Sequence, residues 1–263
     1  MKYVLVTGAW GGMGSSTVEM LADKGFCVIA LDRISAEPRE NVIPIRADLT
    51  DESSVKAAFQ QVKAITGQLH AIVHFAGMYL LDSLAEIKTE DFRRAFEVNL
   101  VAAFLVNKTF LPLLTKGSRI LITTSELAPL DPLPFTGLYA VTKSALDKYA
   151  YSLAMELQLL GIRVSVLRAG AVATNMLGVS TDALDRFCRE TKLYSCNAAR
   201  FKRIVDGVEA GNIPPRKIAA KVCRILGKKC PAFAYSINRN PLLLLLNILP
   251  KRLQLFAIRL VLK

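Results

Sequence analysis

Within its first fifteen residues the chain passes from an apolar run, Tyr3-Val4-Leu5-Val6-Thr7, into Gly8-Ala9-Trp10-Gly11-Gly12-Met13-Gly14, and from Ser15 into an amphipathic stretch. Few folds accommodate a strand, a glycine-rich turn and a helix in such quick succession. The glycines let the backbone turn tightly and come close to a pyrophosphate, and the helix start supplies free N–H groups and a positive dipole end. Asp32 lies 20 residues beyond Gly12, at the end of the next apolar run. A carboxylate there accepts both ribose hydroxyls of NAD and repels a 2′-phosphate. Arg33 follows at once and keeps NADP as the alternative, since a guanidinium binds phosphate.

The same rhythm continues along the chain. Strand-like runs occur at 2–7, 26–31, 42–46, 70–75, 118–124 and 162–168, with amphipathic segments near 13–24, 51–66, 89–114 and 138–160. This alternation predicts an α/β, Rossmann-type doubly wound parallel sheet in a single domain. The continuously apolar Ile120-Leu121-Ile122 is what a strand covered on both faces requires. With 263 residues, 52% of them hydrophobic, the chain is long and apolar enough for one large core and excludes a disordered protein. Residues 1–240 are read as the dinucleotide-binding catalytic domain. Within it, 171–213 is a long irregular stretch with weak helix signals around 180–208, placed as a substrate loop. Its apolar residues, Met176, Leu177, Val179, Leu184, Phe187, Leu193 and Tyr194, would suit a lipid-like alcohol such as a steroid, a retinoid or a long-chain compound.

Tyr139 and Lys143 are four residues apart on a predicted helix and share one face. Tyrosine alone is a poor base, with a reference pKa of about 10, and a nearby ammonium brings it toward working pH. Ser125 ends a predicted strand 14 residues upstream, where its hydroxyl can hold a substrate oxygen. Asn99 is a polar residue among the apolar neighbours Val98 and Leu100 of a predicted helix.

In this order, the motifs resemble those of the short-chain dehydrogenase/reductase family over residues 1–235. Thr7-Gly8-x-x-x-Gly12-x-Gly14 is similar to the family's glycine motif, and Asp48-Leu49 to its adenine-contacting pair. Asn99, Ser125, Tyr139 and Lys143 match its catalytic tetrad, and Arg168-Ala169-Gly170-Ala171-Val172-Ala173-Thr174 resembles the segment that holds the nicotinamide amide. The resemblance implies that Tyr139 transfers the proton, Lys143 lowers its pKa and holds the ribose, Ser125 orients the substrate oxygen and Asn99 supports a proton-relay water. It also implies cofactor contacts at Gly8, Gly12, Met13, Gly14, Ala76, Gly77, Asn99, Tyr139, Lys143, Val172 and Thr174, besides Asp32, Arg33, Asp48 and Leu49. Three departures stand out. His74-Phe75-Ala76-Gly77 replaces the family's Asn-Asn-Ala-Gly, which makes His74 a packed structural residue in this reading. Ala169 replaces a proline, which loosens its loop. The spacing from Ser125 to Tyr139 is one residue longer than the commonest. The general look of the chain is similar to steroid and retinol dehydrogenases.

The expected reaction is hydride transfer between NAD(H) and a secondary alcohol or ketone. A sugar-nucleotide epimerase is the first alternative, although about 90 residues after Thr174 are few for its substrate domain. An NAD(P)-sensing binding protein without turnover is the second. Five cysteines without a C-x-x-C pair and only two histidines point to no metal site and to a reducing, cytoplasmic setting. The first apolar run is too short for a signal peptide.

The net charge of +12 is unevenly placed: the 54 residues after Glu209 carry 11 Lys and Arg and no acid. An anionic partner follows, and nucleic acid is not the expected one. The tail, 241–263, opens with Pro241 and five leucines, too short a run to span a bilayer. A helix from Lys251 would put Arg252, Arg259 and Lys263 on one stripe, with Leu253, Ala257, Leu260 and Val261 facing away. Such a tail either lies on an anionic membrane surface or closes over the substrate entrance by packing on protein. Homo-oligomers are common among family members.

Overall fold

A computed structural model describes residues 1–209 and 211–263, with all their side chains except those of 175–181 and 208–209. The apolar lid residues Met176, Leu177 and Val179 therefore lie outside the described side chains. Seven parallel strands form one sheet: β1 (Lys2–Thr7), β2 (Phe26–Asp32), β3 (Val42–Arg46), β4 (Leu69–His74), β5 (Leu114–Ser125), β6 (Arg163–Ala169) and β7 (Ala234–Ile237). Their order is β3-β2-β1-β4-β5-β6-β7, so the direction of winding reverses between β1 and β4. A crevice opens at such a reversal, beyond the carboxyl ends of the strands.

Alternation along each strand divides the core in two. Leu5, Ile29, Ile72, Ile120 and Val164 point to one face of the sheet. There they meet Val55 and Val62 of α2 (Glu52–Ile65), Val106 and Phe110 of α4 (Ala102–Phe110), and Leu146 and Ala150 of α5 (Gly137–Leu157). Val4, Val28, Val73, Leu121 and Leu167 point the other way, against Val18 and Leu21 of α1 (Gly12–Asp23) and Ile218 and Val222 of α8 (Pro215–Leu226).

The expected single helix over 89–114 is interrupted. α3 (Thr89–Phe96) passes into a π-turn, Glu97–Val101, before α4 begins. Asn99 sits in this turn. Its Oδ1 accepts from Met78 N at 2.7 Å, and its Nδ2 donates to Met78 O and to Thr142 Oγ1, both at 3.0 Å. The wider turn lets a side chain bond outside its own helix.

The stretch after β6 is better ordered than the sequence implies. It forms α6 (Asn175–Glu190) and α7 (Ser195–Glu209), and its ends meet where Val172 bridges Ile213. Nor is Ala169 loose, because it pairs with Ser125 on one side and Ile237 on the other. The tail forms α9 (Pro241–Ile248) and α10 (Lys251–Leu262). Leu184, Phe187, Ala198, Phe201 and Leu262 build a small third core with Leu81, which fastens α6, α7 and α10 above the sheet. Phe135 joins them with φ +61, a strained conformation for a bulky residue. Its ring is held at 4.7 Å from Phe187, 5.2 Å from Tyr194 and 5.3 Å from Phe201.

Candidate active site

The glycine turn leads from β1 to α1. Gly8 has φ +63, and a Cβ there would come within 2.6 Å of Ala76 N. A Cβ on Gly14 would meet Gly8 O at 2.0 Å, so β1, α1 and the end of β4 close up only around glycine. α1 has no side-chain cap, which leaves the first-turn amides of Gly12, Met13 and Gly14 outside the helical pattern. The segment after β6 returns over this turn, since a Cβ on Gly12 would lie 2.6 Å from Thr174 Cγ2. Val172 is buried beside it.

At the end of β2, Asp32 accepts from Trp10 N at 3.0 Å and from Ile34 N at 3.1 Å, which fixes its carboxylate beside the glycine turn. Arg33 is exposed, and its charge lies close enough to Asp48 to hold that carboxyl down, after the stronger effect of the Thr50 hydroxyl at 2.7 Å. Leu49 is buried next to Asp48. A turn that excludes Cβ atoms, uncapped helix amides and an acceptor at the next strand end fit a nicotinamide dinucleotide.

Ser125, Tyr139 and Lys143 come together at the carboxyl end of β5 and along α5. Lys143 is buried, and its Nζ donates to Thr123 O at 3.4 Å. It lies 5.8 Å from the Tyr139 ring centroid, and a Cβ on Gly77 would be 3.2 Å from both Lys143 Nζ and Asn99 Oδ1. Asn99 thus backs the loop beside the lysine instead of reaching the cleft. Burial pushes the Tyr139 hydroxyl up to about 12, while a hydrogen bond from Ser125 pulls it down. Burial lowers Lys143 to about 8. The upward shift of Tyr139 runs against the expected lowering by Lys143, because both groups are buried and burial is the largest cause for each. Tyr79 packs edge-on against its ring at 4.5 Å.

Thr124, beside Ser125, donates to Asp147 at 3.1 Å and points to the structural side of the strand. Asp147 also receives Arg168 through two bonds, Nε at 3.0 Å and Nη2 at 2.7 Å. His74 is buried, 2.9 Å from Asn107 Oδ1 through Nε2 and 3.4 Å from Thr7 Oγ1 through Nδ1. Burial drops it to about 4, so it is a neutral strut between β1, β4 and α4.

Sequence reasoning gave Glu126 no role in the site. An open cleft runs from Ser125 and Tyr139 past Leu127, Leu133 and Gly170 to Phe201 and Ile204 of α7 and Leu243 of α9. Phe201 and Ile204 lie in the stretch read as the substrate loop, and Leu243 lies in the tail. Among the described residues no cluster of His, Cys, Asp and Glu could hold a metal ion.

Fold and site together define an NAD(P)-dependent oxidoreductase. The chain belongs to the short-chain dehydrogenase family, whose model matches residues 2–185. It is 26% identical to a 3-ketodihydrosphingosine reductase of Bacteroides thetaiotaomicron, over 98% of this chain and 97% of that protein. An NADPH-dependent 1-acyldihydroxyacetone phosphate reductase of Schizosaccharomyces pombe is 29% identical over 69% of this chain and 65% of its own length. Among solved structures, a short chain dehydrogenase family protein from Francisella tularensis shares the fold, with a TM-score of 0.75 and 24% identity over 90% of this chain and 97% of that one.

Proposed function

We propose that the protein transfers a hydride between NAD(H) and a secondary alcohol or ketone of lipid-like character. The observation that carries this reading is the joining of Ser125 and Tyr139 to one end of a cleft whose far wall is apolar. Tyr139 donates its proton to the carbonyl oxygen as the carbonyl carbon is reduced, and Ser125 holds that oxygen by a hydrogen bond. Lys143, next to Tyr139, stabilises the tyrosinate left behind and bonds the ribose. Asn99 acts through position, fixing the loop at Met78 and Gly77 against α5. When bound, the nicotinamide supplies or accepts the hydride. Gly8, Gly12, Met13 and Gly14 would cradle its pyrophosphate, Ala76, Gly77, Val172 and Thr174 would flank the nicotinamide end, and Asp48 with Leu49 would flank the adenine.

NAD(H) is the cofactor this reading favours. Asp32, its carboxylate fixed by the amides of Trp10 and Ile34, would meet the ribose, and Arg33 is exposed. With a long-chain ketone, kcat/KM should favour NADH over NADPH, and Asp32→Ala should raise the NADPH/NADH ratio at least about tenfold. A wild-type ratio that favours NADPH removes the cofactor assignment. Absence of turnover with either cofactor across a panel of ketones and secondary alcohols removes the reaction and leaves the dinucleotide-binding alternative.

The tail carries a second part of the reading, contact with an anionic membrane. α10 docks through Gln254 and Leu262, whereas Leu253, Phe256 and Leu260, 52%, 65% and 71% exposed, face outward with Arg252 and Arg259 beside them. Leu242, Leu245 and Ile248 of α9 are exposed alongside, so the apolar surface the sequence assigned to membrane or packing is mostly left uncovered. A basic, apolar surface on the same tail whose Leu243 lines the cleft supports this reading. The protein should pellet with anionic liposomes at low salt and much less at high salt, and Leu253→Ser/Phe256→Ser/Leu260→Ser should abolish pelleting. Equal pelleting of the triple variant rules this surface out. Phe104 of α4 and Tyr151 and Met155 of α5 are also exposed, and such apolar side chains support contact with a second copy.

A further inference from the structure

Glu126 follows Ser125 at the end of β5 and is buried, 8% exposed, although it lines the cleft. One carboxylate oxygen is used: Oε2 accepts from Asn240 N at 2.6 Å, the amide at the start of α9. Among the described residues no protein donor hydrogen-bonds Oε1, and no lysine or arginine forms an ion pair with Glu126. Oε1 lies 3.0 Å from where a Cβ on Gly170 would be, and Gly170 is itself a lining residue, so bare backbone borders this oxygen instead of a covering side chain. Arg239 is the nearest cation to affect it, and that residue is exposed outside the cleft.

A mostly buried carboxylate favours a paired charge or further donors. Glu126 has one protein donor on one oxygen, and its other oxygen is left to whatever occupies the cleft. Its position is also informative, because the oxygen opens into the same cleft as Ser125 and Tyr139, while Leu127, Leu133, Phe201 and Leu243 supply the apolar wall. A ligand that satisfies every surface at once is long and apolar, with a positively charged N–H group near its reacting carbon.

We propose that Glu126 is a specificity-determining residue whose free carboxylate oxygen binds the protonated amine of an amphipathic substrate, so that the site selects amino ketones or amino alcohols over their plain counterparts. For the reaction, this rests on the oxidoreductase reading above; for binding, it stands without turnover. Burial pushes the Glu126 carboxyl up, and an ammonium beside it would pull it back down.

The test compares dodecylamine with dodecanol, below micelle-forming concentrations at pH 7, by calorimetry on the full chain. The wild type should bind the amine at least about tenfold more tightly, the margin of one charge-assisted hydrogen bond. With a net charge of +12 the protein as a whole repels an amine, so that preference cannot come from its overall field. Glu126→Gln still offers an acceptor to Asn240 and should bring the two affinities within about twofold. Equal affinities in the wild type overturn the proposal, as does a preference that persists in Glu126→Gln. Should that variant fail to fold, dodecyltrimethylammonium on the wild type decides: it keeps the charge but has no N–H, and binding as tight as that of dodecylamine overturns the proposal. With a long-chain ketone and its 2-amino derivative, the kcat/KM ratio should follow the binding ratio. Failure to reduce either ketone refutes the reaction, whereas the affinity ratio alone decides the role of Glu126.

Discussion

Tyr139→Phe should lower turnover by about 10²–10⁴-fold, the usual loss when a general acid or base is removed. The ring itself should stay in place, because its edge-on packing against Tyr79 at 4.5 Å does not involve the hydroxyl. What disappears is the proton donor that burial holds protonated, with a pKa of about 12, beside Ser125. NADH affinity, read by fluorescence, should change little, since the glycine turn and Asp32 are untouched. A variant with near-normal kcat would mean that Tyr139 moves no proton, and one that loses NADH binding as well would mean that the substitution damaged the fold.

The second large effect concerns stability. Arg168→Ala should destabilise the protein by about 3–5 kcal/mol, as removal of one partner from a buried ion pair does. Asp147 would keep only the Thr124 hydroxyl, at 3.1 Å, against a carboxylate that now accepts two further bonds from Arg168. Replacing both partners, Arg168→Met with Asp147→Leu, should recover most of the loss, because no unpaired charge is left behind. Urea midpoints of the two single variants and the double variant give the coupling directly. A loss below about 1 kcal/mol for Arg168→Ala would mean that the pair behaves like an exposed one. Asp147 lies four residues beyond Lys143 and eight beyond Tyr139 on the same helix, so the pair also anchors the face of α5 that carries the chemistry.

Six strands were legible in the sequence because each is a run of β-branched or apolar residues bounded by turns. β7 was not, as its four residues are only half-buried at the sheet edge and carry little hydrophobic signal. α8 was passed over although Ile218, Val222 and Ile225 recur at helical spacing. Candidate site residues could be read where chain neighbours make the motif and its order along the chain resembles the family's, as with Tyr139 and Lys143 or Gly8 to Gly14. Contacts across long separations left no local trace. Asn99 could be singled out as polar among apolar neighbours, but its π-turn depends on Met78 and Thr142. Arg168 was noted only as part of a loop motif, and its partner Asp147 reads as an ordinary surface acid until β6 and α5 meet. The tail was read as a choice between surface contact and packing; α10 packs through Gln254 and Leu262 and leaves Leu253, Phe256 and Leu260 exposed.

The order in which these parts leave the ribosome differs from their order in space. β1 emerges first but lies at the centre of the sheet, and it can be flanked only after β4 has been made. The roof of the cleft comes last: Leu243 and Leu262 belong to the final two helices. Residues are added at about 5–20 per second, and a domain folds as a unit. The residues of the dinucleotide crevice are therefore all made while the substrate cleft still lacks its upper wall. In that interval Phe201 and Leu184 lack their cover, which makes this a stage at which a chaperone or a nearby bilayer can engage the chain.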